Sequence, residues 1–163
     1  MAAKKTAKKT KRAPTRSKAP GKVKATRAKG RAVETLKMSS ASPGFTVNDL
    51  KKSLAWYRDV LGFVVEERWE QEGKLTGVSL QAGSVSFMIG QDDWKKGRNR
   101  KKGEGVRLYC TTTQDVDVLA DRIVARGGKL DQVPRDQPWG TRDFSLTDPD
   151  GFKITIGADK KKS

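Results

Sequence analysis

The chain of 163 residues contains no histidine and a single cysteine, Cys110. Without imidazole it lacks the usual ligand of transition metals and the usual acid–base group near neutral pH. One cysteine excludes an intrachain disulfide, which favours a reducing compartment. Because no imidazole is present to activate Cys110, we expect an inert, buried thiol.

Long apolar runs are also missing. No stretch approaches the ~18 apolar residues of a membrane span, and the N-terminus lacks the apolar core of a signal peptide. We therefore expect a cytoplasmic protein that makes no membrane contact.

Acidic residues are absent from residues 1–31, which contain 13 basic residues. Residues 32–163, in contrast, contain 22 basic and 19 acidic residues, a net charge of +3. The first segment has too few apolar side chains to offset the entropy lost on ordering. The sequence predicts a disordered Lys/Ala-rich tail over 1–39, one folded domain over 40–158 and a basic C-terminal end over 159–163.

The tail predicts a nucleic-acid partner, because flexible cations release counterions from DNA or RNA in a sequence-independent, salt-sensitive way. It resembles the tails of linker histones and of bacterial histone-like proteins, which would place the protein near the nucleoid. The alternative is a solvated extension with no dedicated partner. The candidate contacts are Lys4, Lys5, Lys8, Lys9, Lys11, Arg12, Arg16, Lys18, Lys22, Lys24, Arg27, Lys29 and Arg31.

Apolar spacing divides residues 40–158 into two similar halves. In the first half a strand around Phe45 precedes a helix from Leu50 to Leu61, which Gly62 ends, and three short β-rich runs follow. In the second half, a strand over 106–111 precedes a helix from Asp115, a strand over 129–133, a connection over 134–140 and a final hairpin. Each half reads β-α-β-β-β, which indicates a duplicated unit.

The final hairpin, WGTRDFSLTDPDGFKITI over 139–156, turns at Asp148-Pro149-Asp150-Gly151. With the duplicated element order, it resembles the glyoxalase, bleomycin-resistance and extradiol-dioxygenase superfamily, also called vicinal oxygen chelate proteins, and most closely the bleomycin-resistance branch. The resemblance implies an α+β fold in which two βαβββ modules form curved sheets around a cleft. It also implies a homodimer.

The superfamily's metal-binding positions, carried over onto this chain, fall near Ser42, near Ser84 to Ser86, on Val106 or Arg107, and on Thr155. None of these residues supplies an imidazole, a thiolate or a carboxylate, the donors that zinc, iron and manganese need. We therefore expect no metal and no other cofactor.

Strand alternation selects a lining for the cleft. In GVRLYC, the apolar Val106, Leu108 and Cys110 suit the face that a helix covers, which leaves Arg107 and Tyr109 on the opposite side. Tryptophans at strand ends and in loops offer stacking on a flat ligand. Each candidate has a structural alternative, such as Trp139 plugging the mouth of the barrel or Arg142 forming an ion pair. The candidate ligand-binding residues are Trp139, Arg107, Tyr109, Trp69, Met88, Trp94, Arg142 and Thr155.

The loop over 95–102 adds six cations beside Trp94, a second basic segment able to contact nucleic acid. No pair of acid–base residues has a recognisable spacing on the predicted strands. The sequence thus favours a small-molecule binding protein with a nucleic-acid-binding tail. The alternatives are a glyoxalase-like lyase or isomerase, and a nucleoid-associated architectural protein whose domain only dimerises.

Overall fold

Two β-α-β-β-β modules follow one another in the computed structural model, which describes residues 36 and 38–160. The tail positions from Lys4 to Arg31 lie outside the described residues. The first module contains β1 (Gly44–Val47), α1 (Leu50–Ala55), the π-helix π1 (Trp56–Leu61), β2 (Val64–Gln71), β3 (Lys74–Ala82) and β4 (Val85–Gln91). The second contains β5 (Arg107–Thr111), α2 (Val116–Ala125), β6 (Leu130–Asp136), β7 (Thr141–Thr147) and β8 (Lys153–Asp159).

Each module forms its own four-stranded sheet. The strand orders are β1-β4-β3-β2 and β5-β8-β7-β6, in which the β1–β4 and β5–β8 pairs are parallel and the others antiparallel. The predicted α+β fold of two βαβββ modules is therefore confirmed. Helices α1 and α2 pack on one face of their own sheets, and the opposite face of each sheet is called its open face below.

The first helix begins and ends where local chemistry dictates. The Asp49 side chain accepts a hydrogen bond from the Lys52 amide, as an N-cap does, and Gly62 ends the helix with a φ of 84°. The predicted helix over 50–61 is present, but its second half is π-helical, and it buries Tyr57 completely. Within the part of the chain that the structure describes, no helix is long and apolar enough to cross a membrane.

Strand β6 corrects one sequence-based expectation. The connection predicted over 134–140 begins later, because β6 continues through Pro134 to Asp136. This strand lies at the edge of its sheet and its pairing with β7 shifts register twice. Proline lacks an N–H but is tolerated at such an edge, where no further strand needs the donor.

The two modules share one apolar core. Its buried residues come from both sheets and both helices, and the Phe45 ring of β1 stacks on Phe152, just before β8, with centroids 4.3 Å apart. Tyr57 and Phe87 meet edge to face beside them at 5.0 Å. Since the core is continuous, neither module buries its apolar face alone.

The turn between β7 and β8 binds the first module through Asp148. One oxygen of this buried carboxylate accepts hydrogen bonds from the backbone N–H groups of Asp150 and Phe152, which closes the turn. The other oxygen accepts a hydrogen bond of 2.8 Å from the Tyr57 hydroxyl. Burial raises the pKa of Asp148, and burial together with the nearby carboxylate raises the pKa of Tyr57.

Asp150, two residues further on, makes a second bridge. Its carboxylate accepts hydrogen bonds from the Asn48 amide at 2.6 Å and from the Ser53 hydroxyl at 2.8 Å. The Asp-Pro-Asp-Gly turn therefore does more than reverse the chain, because its two carboxylates attach the second module to the first helix.

Candidate functional site on the open faces of the two sheets

The open face of the first sheet has a row of backbone without side chains at its centre. Gly90 of β4 lies opposite Gly77 of β3, and the same cross-strand row ends in Thr46 on β1 and in Trp69 on β2. Glycine inside a strand commonly marks a close approach by a ligand or another backbone. Here two adjacent glycines leave a flat floor between the walls of the row.

A cavity of about 320 Å³ lies over this floor. Met88 forms part of its lining, and Gly44, which pairs with Met88 across the sheet, extends the floor. The Trp69 ring lies against Gly77, since a Cβ atom at that glycine would be 2.8 Å from Trp69 Cε3. We call this cavity, formed around Gly44, Gly77, Gly90, Trp69 and Met88, the glycine-floored cup.

The open face of the second sheet is polar and cationic. Arg107 of β5 donates a hydrogen bond of 2.7 Å to the Thr155 hydroxyl on β8, and Lys153 lies opposite Arg107 in the same strand pair. Tyr109 lies opposite Thr155 with 77% of its surface exposed. Two cations and a phenol on one exposed face suit an anionic or hydrogen-bonding group.

A second cavity, of about 380 Å³, borders this face between the segment Lys102–Arg107 and the β7–β8 turn. Gly103 and Gly151 approach so closely that a Cβ atom at Gly103 would overlap the Gly151 carbonyl. Arg107 and Lys153 both line this cavity. The cations of the open face are therefore accessible from it. Val106 lines it too and is 44% exposed, so the prediction that a helix covers Val106 is wrong.

Asp143 is the buried carboxylate of the open face on β7. Its oxygens accept hydrogen bonds from Gln137 at 2.7 Å and from Gln132 and Thr141 at 3.3 Å each. A general base needs a free oxygen within reach of the proton it removes. Because Asp143 is enclosed by three donors, it suits structural support better than proton transfer.

The family model of the Glyoxalase/Bleomycin resistance protein/Dioxygenase superfamily matches residues 39–156. The chain belongs to this superfamily. The match spans both modules and therefore both open faces. No curated protein matches the chain.

Solved structures of superfamily members share the fold. A glyoxalase/bleomycin resistance protein/dioxygenase from Nocardioides is 17% identical over 80% of this chain and 89% of that one, with a TM-score of 0.63. A superfamily member from Sphaerobacter thermophilus is 25% identical over 74% and 98%, with a TM-score of 0.58. The similar structure of TioX from Micromonospora sp. ML1 is 20% identical over 74% and 100%, with a TM-score of 0.60.

The positions that bind metal in other superfamily members do not form a metal site here. The hydroxyls of Ser42 and Ser86 are 3.1 Å apart, and Arg107 is hydrogen-bonded to Thr155. Neutral hydroxyls are poor donors for zinc or iron, and a guanidinium repels a cation. Among residues 36 and 38–160, no three histidine, cysteine, aspartate or glutamate side chains are grouped to hold a metal ion. The residues present therefore do not fit the superfamily's metal.

The structure divides the predicted ligand-binding residues between sites. Trp69 and Met88 meet in the glycine-floored cup, and Arg107, Tyr109 and Thr155 share the open face of the second sheet.

Tyr109 and Thr155 lie outside the linings of both cavities, and so do the other three candidates. Arg142 points to the helix-covered face, where Asp117 at 2.6 Å and Asp136 at 3.1 Å bind its guanidinium and raise its pKa. Its structural alternative, an ion pair, is the arrangement present. Trp139 is 71% exposed in the β6–β7 turn, and Trp94 lies in the loop between the modules.

Sequence reasoning missed the glycines of the floor. Gly44, Gly77 and Gly90 each lie within or at the start of a strand, which is itself a signal because glycine weakens strands. The pairing of Gly77 with Gly90 shows that these glycines form one floor, and this pairing is a property of the folded sheet.

Proposed function

We propose that the chain binds a flat, largely apolar small molecule in the glycine-floored cup without a metal, in the manner of a sequestering protein. The row of Gly77 and Gly90 between Trp69 and Thr46 is the observation that carries this proposal. An indole offers a stacking face and a thioether adapts to irregular shapes. The volume is near the lower end of the ~300–1,000 Å³ range of ligand sites.

Binding explains the site with fewer groups than catalysis does. A lyase or isomerase needs a positioned acid–base group, and the buried carboxylate of the open faces, Asp143, is enclosed by donors. Arg107 and Thr155, on the open face of the second sheet, form a hydrogen bond with each other and are not an acid–base pair. Sequestration needs only a shaped cavity and the contacts of its lining.

We propose that two copies pair to cover the open faces. Tyr109 is 77% exposed and Met88 is 36% exposed on the open faces. Large side chains with apolar surface exposed on a sheet face favour an interaction site. The expected result of analytical ultracentrifugation is a species of about twice the 18.0 kDa chain mass. A single 18.0 kDa species at micromolar concentration would contradict pairing but not the cup.

The anionic aromatic dye 8-anilino-1-naphthalenesulfonate tests the cup, because it combines a flat ring system with a sulfonate. Saturable fluorescence enhancement is expected, and Trp69→Ala should weaken it by about tenfold, a loss of ~1.4 kcal/mol that matches one aromatic stacking contact. Trp139→Ala is the matched control, since it removes an exposed tryptophan outside the cup. Equal losses from both variants would refute the proposal.

We propose in addition that residues 1–31 bind nucleic acid without sequence preference. The supporting observation is the sequence itself, with 13 cations and no acidic residue. Electrophoretic mobility of a DNA duplex across salt, with the wild type and with a variant carrying glutamine at all 13 positions, tests this proposal. Each phosphate contact contributes about 0.9 to the slope of log K against log salt. An unchanged slope in the glutamine variant would exclude the tail as the contact.

A further inference from the structure

The loop between the two modules, residues 92–104, is folded around one buried carboxylate. Asp92 is 4% exposed, and one of its oxygens accepts a hydrogen bond from the Trp94 amide at 2.9 Å. The other oxygen binds both the Arg100 guanidinium and the Lys102 ammonium at 2.5 Å. These hydrogen bonds lower the pKa of Asp92 well below its usual value. The loop therefore has an internal anchor.

The Trp94 ring lies beside two of the loop's cations, Lys102 and Arg98. The ring is 5.3 Å from the Lys102 ammonium, whose side chain is 4% exposed, and 4.8 Å from the Arg98 guanidinium. A backbone hydrogen bond of 2.9 Å from Gly97 to the Trp94 carbonyl closes the tip. Cation–π contacts of this kind hold Arg98 in a defined place without neutralising its charge.

Four cations remain on the outside of the folded loop, namely Lys95, Lys96, Arg98 and Lys101. Lys95 approaches Asp93 at 3.3 Å and Lys101 approaches Glu104 at 3.5 Å, but both lysine side chains are more than four-fifths exposed. Exposed pairs contribute little to stability. A phosphate can therefore replace Asp93 beside Lys95, or Glu104 beside Lys101, at a small cost in free energy.

The charge of the surrounding domain makes this loop its positive pole. Residues 92–104 contain six basic and three acidic residues, a net charge of +3. Residues 39–91 and 105–159 together contain 12 basic and 15 acidic residues, a net charge of −3. A polyanion approaching the domain is attracted to the loop and repelled elsewhere.

We infer that the loop of residues 92–104 binds the phosphate backbone of nucleic acid, so that the folded domain has its own contact in addition to the tail. It shares its partner with the proposed function of the tail but stands on separate residues. Loop chemistry favours nucleic acid over an anionic membrane, because Trp94, its one large apolar side chain, is half-buried beside Arg98 and Lys102. Membrane-surface segments expose apolar groups that insert among the lipids.

The test compares full-length variants in a mobility-shift titration of one DNA duplex across salt. The loop variant carries glutamine at Lys95, Lys96, Arg98 and Lys101. Its matched control carries glutamine at Lys51, Lys74, Arg122 and Lys129, which are exposed and have the same total charge. At about 0.9 per phosphate contact, the loop variant should lower the salt slope by about 2–4 and the control by less than about 1.

Each outcome has a defined meaning. Equal slopes for the loop and control variants would overturn the inference, because net charge alone would then explain binding. A lower salt slope from the loop substitutions in the variant with glutamine at all 13 tail positions would support the loop contact even if the tail makes none. If the loop variant lost binding to phosphatidylserine vesicles but bound DNA as the wild type does, the loop would be a membrane contact and the inference would be overturned. Lys96→Glu with Arg98→Glu is a second variant with two substitutions, which changes the loop charge by the same four units and should also lower DNA affinity at equal folding.

Discussion

Gly90→Val should reduce the affinity for 8-anilino-1-naphthalenesulfonate by about tenfold or more, which is a loss of at least ~1.4 kcal/mol of binding free energy. A Cβ atom at Gly90 meets its nearest heavy atom, the Thr76 carbonyl oxygen, at 3.7 Å, an ordinary contact. Valine is also favoured in strands. The sheet therefore accepts the side chain while its methyl groups occupy the floor of the cup.

The control for Gly90→Val is Gln81→Val. Gln81 lies on the same open face, two strand rows from the cup, opposite Ser86. Its replacement adds the same side chain to the same sheet outside the cavity. Fluorescence titration and thermal unfolding are measured for both variants. If Gly90→Val folds with unchanged dye affinity, the glycine-floored cup is not the binding site.

Gly77→Ala should affect the protein differently from Gly90→Val. A Cβ atom there would be 2.8 Å from Trp69 Cε3 and 3.2 Å from the Ile89 carbonyl oxygen. Gly77→Ala should therefore displace Trp69 and lower both dye affinity and stability, whereas Gly90→Val lowers affinity alone. The pair of variants separates filling of the cup from distortion of its wall.

Asp148→Ala should lower the free energy of unfolding by about 2–4 kcal/mol, because unpaired buried polar groups each cost ~1–3 kcal/mol. The substitution removes the acceptor of the Tyr57 hydroxyl and of two backbone N–H groups. Tyr57 is fully buried, so water cannot replace the lost partner without rearrangement. Urea denaturation followed by circular dichroism measures the change.

Two further variants divide this effect. Tyr57→Phe removes only the hydrogen bond from Tyr57 to Asp148 and should lower the free energy of unfolding by about 1–2 kcal/mol. Asp148→Asn keeps an oxygen for the turn amides and should cost less than Asp148→Ala. If all three variants unfold like the wild type, the Asp148 bridge does not hold the modules together.

The pH dependence has a definite sign. Burial raises the pKa of Asp148 in the folded state, so the folded protein binds this proton more tightly than the unfolded chain does. The contribution of this group to stability is therefore greatest below the unfolded-state pKa of ~3.9 and falls as the pH rises towards the raised value. Asp148→Asn should abolish this part of the pH dependence. An identical pH profile for both proteins would contradict it.

Local chemistry made the fold predictable. Helical spacing from Leu50 and the helix-ending residue Gly62 act over a few residues each, and the structure has a helix there that ends at Gly62, although its second half is π-helical. The end of β6 was predicted wrongly, because Pro134 breaks most strands but not an edge strand. Tertiary context overrode the local signal there.

By itself, the sequence determined the two-module order and the absence of imidazole ligands, because strand and helix periods and residue types are local properties. Only the tertiary structure decided which residues share a site. The register of the sheet aligns Gly77 with Gly90, and folding brings Asp148 to Tyr57 and turns Arg142 toward Asp117. The physical reason is that long-range register and packing depend on the whole core, which buries both modules together.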